Sequence, residues 1–96
     1  MKLITTYKWK CVYKMEGEMF ISDSYSDLVR QMRMIVYSQP STNAQHRKEA
    51  KKRFYNWDRT ILDDTSDKSF VIDLIKMGYV KVLSCVREPL KSQENE

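Results

Sequence analysis

The sequence predicts an α+β fold in the order β-β-α-α-α-β. Three strands would form a mainly antiparallel sheet, with helices packed on one face. Three observations predict it. Residues Leu3 to Tyr13 alternate with a period of two. Two central stretches carry apolar residues at helical spacing behind Ser/Thr/Asn/Asp clusters. Ser66 to Val86 runs from a serine cap through an apolar helical segment and a glycine into a β-rich segment. The chain has 96 residues, which suits one domain and a single modest core. Residues 1–88 would be that domain, and the polar residues 89–96 a disordered tail.

In the first strand, Leu3, Thr5, Tyr7, Trp9, Cys11 and Tyr13 share one face, and Ile4, Thr6, Lys8, Lys10, Val12 and Lys14 share the other. The aromatic face is expected inside. The lysine face reads as the solvent side of a hairpin. Met15-Glu16-Gly17-Glu18 is the expected turn, with Gly17 as its positive-φ residue. Met19 to Ile21 returns as the second strand.

Ser24 is placed to cap the first helix, with Asp27 three residues on, close to a capping box. Tyr25, Leu28, Val29, Met32, Ile35 and Val36 give its apolar face, over Tyr25 to Tyr37. Pro40 stops it, because the residue before proline avoids the helical region. Ser41-Thr42-Asn43 caps again, and a second helix is expected over Asn43 to Asp58. Ala50, Phe54, Trp57 and Ile61 follow i, i+4, i+7 and i+11, an expected buried ladder. Thr60 to Leu62 reads as a linker or a last helical turn.

The third helix follows Ser66, with Asp67 at the positive end of its dipole. Phe70, Leu74 and Met77 form its face, widened by Val71 and Ile75. Gly78 can adopt the left-handed conformation that ends helices. Tyr79 to Val86 is the third strand. Neither of its faces is purely polar, which suits an inner strand with a helix over one side. It is expected beside the first strand.

Short segments resemble a loose set of small bacterial and phage proteins. The likeness lies in the N-terminal hairpin, in Asp27-Leu28-Val29-Arg30-Gln31-Met32, and in Thr65-Ser66 followed by Ser69 to Leu74 and Gly78-Tyr79-Val80. It covers about half the chain and names no family. In that set an arginine stands nearer the serine cap; here Ile61 to Asp64 intervene after Arg59-Thr60, and the basic second helix has no counterpart. The resemblance implies the order of elements and a phage or mobile-element origin. It implies no reaction.

The net charge is +4, but its distribution is uneven. Residues 1–59 hold 12 Lys/Arg and 6 Asp/Glu, giving +6, while residues 60–96 hold 5 and 7, giving −2. That asymmetry points to an acidic partner. No run of eighteen apolar residues crosses the chain, and charges break the N-terminus too early for a signal-peptide core. No membrane partner and a cytoplasmic location are therefore expected. There, Cys11 and Cys85 would be buried free thiols, with a disulfide as the alternative should their strands be neighbours.

No reaction centre is legible, and the expectation is a protein that is not an enzyme and uses no cofactor or metal. His46 lacks the nearby His or Cys that a metal site needs. Either cysteine would need exposure and activation to pair with it as a nucleophile. Asp63, Asp64 and Asp67 lack the glycine and terminal glutamate of a calcium loop and read as acids at the start of a helix. Gly17 and Gly78 are too few for a phosphate loop.

The candidate contact residues are Lys48, Lys51, Lys52, Tyr55 and Arg59, a cationic side of the second helix with one aromatic among them. The plain alternative is a solvated helix face opposite Phe54 and Trp57. Met34 and Tyr37 lie off the main stripe of the first helix and are further candidates for contact. Trp9, Tyr7, Tyr13, Phe54 and Trp57 fit two buried faces better than a recognition patch. The expected function is an inhibitor or adaptor, a phage accessory protein covering a surface of a larger acidic protein or a nucleoprotein complex. The alternative is nucleic-acid binding through the same stripe. A third option is an enzyme fragment or subunit completed by another chain, and self-association through the first-strand edge or the Met34/Tyr37 region is also open.

Overall fold

The computed structural model describes residues 7–89, with side chains from Trp9 to Arg87. Of the expected tail over 89–96, Pro89 ends a strand and residues 90–96 lie outside the described residues, as does the alternation before Tyr7. The elements are β1 (Tyr7–Met15), β2 (Glu18–Ser22), α1 (Tyr25–Ile35), α2 (Asn43–Asp58), α3 (Asp67–Lys76) and β3 (Lys81–Pro89). The fold is α+β, with the order β-β-α-α-α-β and an open three-stranded antiparallel sheet.

Each helix starts where a short polar side chain can satisfy an otherwise unpaired N–H. Ser24 Oγ accepts from the Asp27 amide at 3.0 Å, Thr42 Oγ1 from that of Gln45 at 3.1 Å, and Ser66 Oγ from that of Ser69 at 3.0 Å. The end of α3 is equally local. Gly78 takes φ +85°, its N–H reaches the Ile75 carbonyl at 3.1 Å, and the Tyr79 N–H reaches that of Leu74 at 2.9 Å. This pair of bonds defines a glycine-based helix stop. α1 ends at Ile35, two residues earlier than expected. Val36 is already extended, and Gln39, before Pro40, has φ 46°.

The strand order is β2-β1-β3, with β1 in the centre. Residues directly opposite share a face, so two rows cross the sheet. One is Phe20–Tyr13–Val82 and the other Ser22–Cys11–Cys85. Phe20, Tyr13 and Ser22 are buried, whereas Val82 and Cys85 are exposed. The helical layer therefore covers the β2 side and thins out towards β3; α1 packs directly against β2. β3 is an edge strand, exposed from Lys81 to Arg87, not the inner strand its composition suggested. Its mixed apolar faces signal β propensity without signalling cover. A bulge accompanies this: Val12 opposes Ser84 and Tyr13 opposes Val82, which leaves Leu83 as the extra residue.

The core is Tyr13, Phe20, Leu28, Val29, Met32, Ala50, Leu62, Phe70, Val71, Leu74 and Val80. Burying each large side chain among these stabilises by about 1.5–3 kcal/mol relative to exposure. Leu62, in the linker after α2, is fully buried and pins that linker to the core. Met77, expected inside, is half exposed, because α3 has ended and the chain turns away there.

Two further expectations are corrected. The hairpin loop is Glu16-Gly17, closed by the Met15–Glu18 pair, and the positive φ of 55° belongs to Glu16, not Gly17. Cys11 and Cys85 are neither free nor both buried. They stand opposite each other at a Cα–Cα distance of 4.0 Å and form a disulfide, with Cys85 exposed. Placing β1 between its neighbours brings the two residues into one register, which the sequence does not specify.

Candidate functional site

Positions 48, 52, 55 and 59 follow three- and four-residue steps, so on α2 they share one side. It is the side opposite His46 and Ala50, which are buried. Lys48, Lys52, Tyr55 and Arg59 are all exposed. Among the described residues Lys48 and Lys52 have no ion-pair or hydrogen-bond partner. The Arg59 guanidinium lies 5.0 Å from the centroid of the Tyr55 ring, a cation–π contact that holds both side chains. Arg59 itself caps α2 in the left-handed conformation, φ 61°, with its N–H on the Tyr55 carbonyl at 2.8 Å. Helix termination and the Tyr55–Arg59 stack are thus one local arrangement.

Lys51 differs from the other cations. Its Nζ lies 3.4 Å from Asp64 Oδ1, and both side chains are partly exposed, so the pair contributes little. Arg47, one turn earlier, is committed internally. It donates to the Asp64 carbonyl at 3.0 Å and pairs with Asp67. Burial would raise the Asp67 pKa, but hydrogen bonds from Asn43, Ser26 and Arg47 outweigh it and hold the carboxyl below its usual range. Asp64, before α3, and Asp67, its first residue, therefore fasten that helix to α2. They neutralise one margin of the basic flank and leave Lys48 and Lys52 to solvent.

Between α2 and the linker lies a shallow depression of about 440 Å³, lined by Lys48, Lys51, Lys52, Tyr55, Asn56 and Ile61. Ile61 is 67% exposed, not the continuation of a buried ladder. The ladder leaves the core after Phe54. Trp57, also expected inside, is 67% exposed and rests its ring edge against Phe54, with centroids 5.4 Å apart. Of the remaining aromatics, Tyr13 is buried as expected, Trp9 is 57% exposed, and the Tyr7 side chain lies outside the described residues. Trp9 is uncovered because it sits on β1 beyond the reach of the helices, opposite Arg87.

Met34 and Tyr37 are exposed, Tyr37 completely. They are not part of the cationic flank. The loop that carries Tyr37 meets α2 at Glu49, where the Ser38 hydroxyl donates to Glu49 Oε1 at 3.0 Å. Glu49 lies on the other edge of α2 from Lys51. The structure thus brings together five of the seven candidate contact residues and sets the other two apart.

His46, weighed from the sequence only as a metal ligand or catalytic base, lies in the core. It is 4% exposed, packs against the Phe70 ring edge-to-face with centroids 5.9 Å apart, and among the described residues its Nδ1 has no hydrogen-bond partner. Burial, with the Arg53 charge adding to it, pushes its pKa down to about 4, so the ring is neutral at physiological pH. One signal was present: His46, Ala50 and Phe54 form a strict i, i+4, i+8 series. Among the described residues no group of three His, Cys, Asp or Glu is arranged to hold a metal ion, and no helix is long and apolar enough to cross a membrane. No family model, no curated protein and no solved structure matches this chain.

Proposed function

We propose that this chain is a non-enzymatic binding protein that covers an acidic surface of a larger protein, as an inhibitor or adaptor. The observation that carries this reading is the outer flank of α2. Among the described residues Lys48 and Lys52 are unpaired there beside the Tyr55–Arg59 stack, and Ile61 supplies an apolar element within the same depression. An aromatic and an arginine beside an apolar residue, ringed by cations, are the ingredients of a protein-contact hot spot. The alternative partner, a nucleic acid, would use Tyr55 as a stacking platform. Arg59 already occupies one face of that ring, which favours the protein reading.

The test is a nuclease-treated pull-down comparing the native chain with a Lys48→Glu/Lys52→Glu variant and with Tyr55→Ala. The expected result is one stoichiometric protein that both variants lose. Equal recovery by all three removes the α2 flank from the reading. Recovery only without nuclease, with a gel shift whose log K falls against log salt with a slope of about −3.6 for four phosphate contacts, replaces the protein with a nucleic acid.

A cytoplasmic location belongs to the same proposal. It stands in tension with the Cys11–Cys85 bond, since disulfides are rare in reducing compartments. Alkylation of the cysteines in freshly lysed source cells decides it. Free thiols fit the cytoplasm, and protected ones an oxidising compartment.

A further inference from the structure

The depression between α2 and the linker after it has a mainly apolar lining beneath cationic groups. Ile61 and the Tyr55 ring supply part of that lining. Lysine stems complete it, because a lysine lays its methylene chain along an apolar surface and keeps its ammonium group in water. Lys48 and Lys52 carry the unpaired charge there; among the described residues neither has an ion-pair or hydrogen-bond partner. Both margins of the strip are acidic. Asp64 and Asp67 pair with Lys51 and Arg47 on one side, and Glu49, bonded by Ser38 and Gln45, stands on the other.

These features narrow the occupant. A long polyanion crossing the strip would meet carboxylates at either margin, and like charges brought together oppose binding. A second copy of this chain would set the same lysines face to face. A partner helix would need an apolar ridge to pack on at about 8–10 Å, and the outer side of α2 presents cations instead. An extended segment fits. Lys48 and Lys52 are about 6 Å apart along the helix axis, and alternate side chains of an extended chain point the same way about 6.6–6.8 Å apart. Tyr55 stands about 4.5 Å further along the axis, within reach of the next alternate side chain. Two carboxylates at positions i and i+2 therefore meet the two lysines, and the side chain at i+4 enters the depression beside Tyr55 and Ile61. The apolar lining selects an aliphatic group there, since a polar one would lose its water without gaining a partner.

We infer, resting on the reading of this flank as a contact surface for an acidic protein, that its target is an extended acidic segment with carboxylates at alternate positions and an aliphatic side chain two positions beyond the second. The lysines set the register of the segment, and the depression reads the aliphatic residue. The Tyr55–Arg59 stack bounds the strip at the end of α2.

The experiment is a titration of the full chain, disulfide intact, with the peptide acetyl-Glu-Thr-Glu-Thr-Leu-Thr-amide, followed by amide ¹⁵N shifts. Three comparison peptides carry Gln for both Glu, Ala for Leu, or the same residues reordered as Glu-Glu-Leu-Thr-Thr-Thr. The first peptide is expected to saturate shifts at Lys48, Lys52, Tyr55 and Ile61. The Gln and Ala peptides should each bind about tenfold more weakly, the worth of two exposed ion pairs or of one half-buried leucine. The reordered peptide loses the register and should fall with them. Lys48→Glu/Lys52→Glu should abolish saturable binding. Ile61→Ser should remove the preference for Leu over Ala and keep the preference for Glu over Gln. All three positions are exposed, so both variants leave the core intact. Equal binding of the Leu and Ala peptides by the native chain, or of the alternating and reordered ones, overturns the inference. Absence of saturable shifts at several-millimolar peptide overturns it too, and a pull-down partner still lost by Lys48→Glu/Lys52→Glu would then keep the flank as a contact for a folded surface. Tighter saturation of the same amides by an oligothymidylate overturns both the segment and the protein reading.

Discussion

The helical layer over β2 and the ribbon formed by β1 and β3 are built on different physics. The first is held by burial: Leu28, Val29, Phe70 and Val71 are excluded from water, and three capped helices close over Phe20 and Tyr13. The ribbon has little such cover. Trp9, Val82, Leu83 and Val86 are all exposed, and a backbone ladder and the Cys11–Cys85 bond tie β3 to β1. Covalent closure can thus stand where packing is thin, since a cross-link acts on the unfolded ensemble and needs no core around it.

The sharpest way to break this comparison is a matched truncation. Phe70→Ala should lower the unfolding free energy by about 3–5 kcal/mol, while Val86→Ala should stay within about 0.5 kcal/mol, both read from urea midpoints at constant m. Equal effects would mean that the ribbon is packed after all.

Reduction of the disulfide comes next. The bond spans a sequence separation of 74, for which the chain-entropy account gives a loss of about 4 kcal/mol. Hydrogen exchange should show β3 amides losing protection before those of α3. If both exchange together, the two regions are a single cooperative unit.

A third probe acts on the helical layer alone. The His46 pKa is 6.5 when unfolded and about 4 when folded. The unfolded chain therefore binds the extra proton first. Stability is complete above pH 6.5 and is lost as the pH falls towards 4, by about 3 kcal/mol. Arg53 and Arg33 oppose the charged ring, while Glu49 and Asp67 favour it. His46→Phe should flatten the stability profile between those two pH values, and a slope unchanged in that variant would assign it to another group.

The smallest effect lies at the hairpin tip. Glu16 holds φ 55° where a glycine would sit without steric cost. Glu16→Gly should stabilise by about 0.5–1 kcal/mol in thermal melts. A loss of stability would show that the carboxylate makes a contribution there that outweighs its backbone.

The sequence determined what depends on neighbours three or four residues apart. The serine and threonine caps, the glycine stop at Gly78, the bounds of α2 and the exposure of Lys48, Lys52 and Arg59 all follow from local hydrogen bonding and helical period. Only the tertiary structure decided which apolar faces are covered. Trp57 and Ile61 continue the spacing of Ala50 and Phe54, yet the neighbouring elements do not extend over them, and His46, polar by composition, is enclosed. The same holds for β3 at the sheet edge and for the meeting of Cys11 with Cys85. Periodicity sets the direction in which a side chain points, whereas cover and pairing depend on elements distant in the chain, whose placement no local signal encodes.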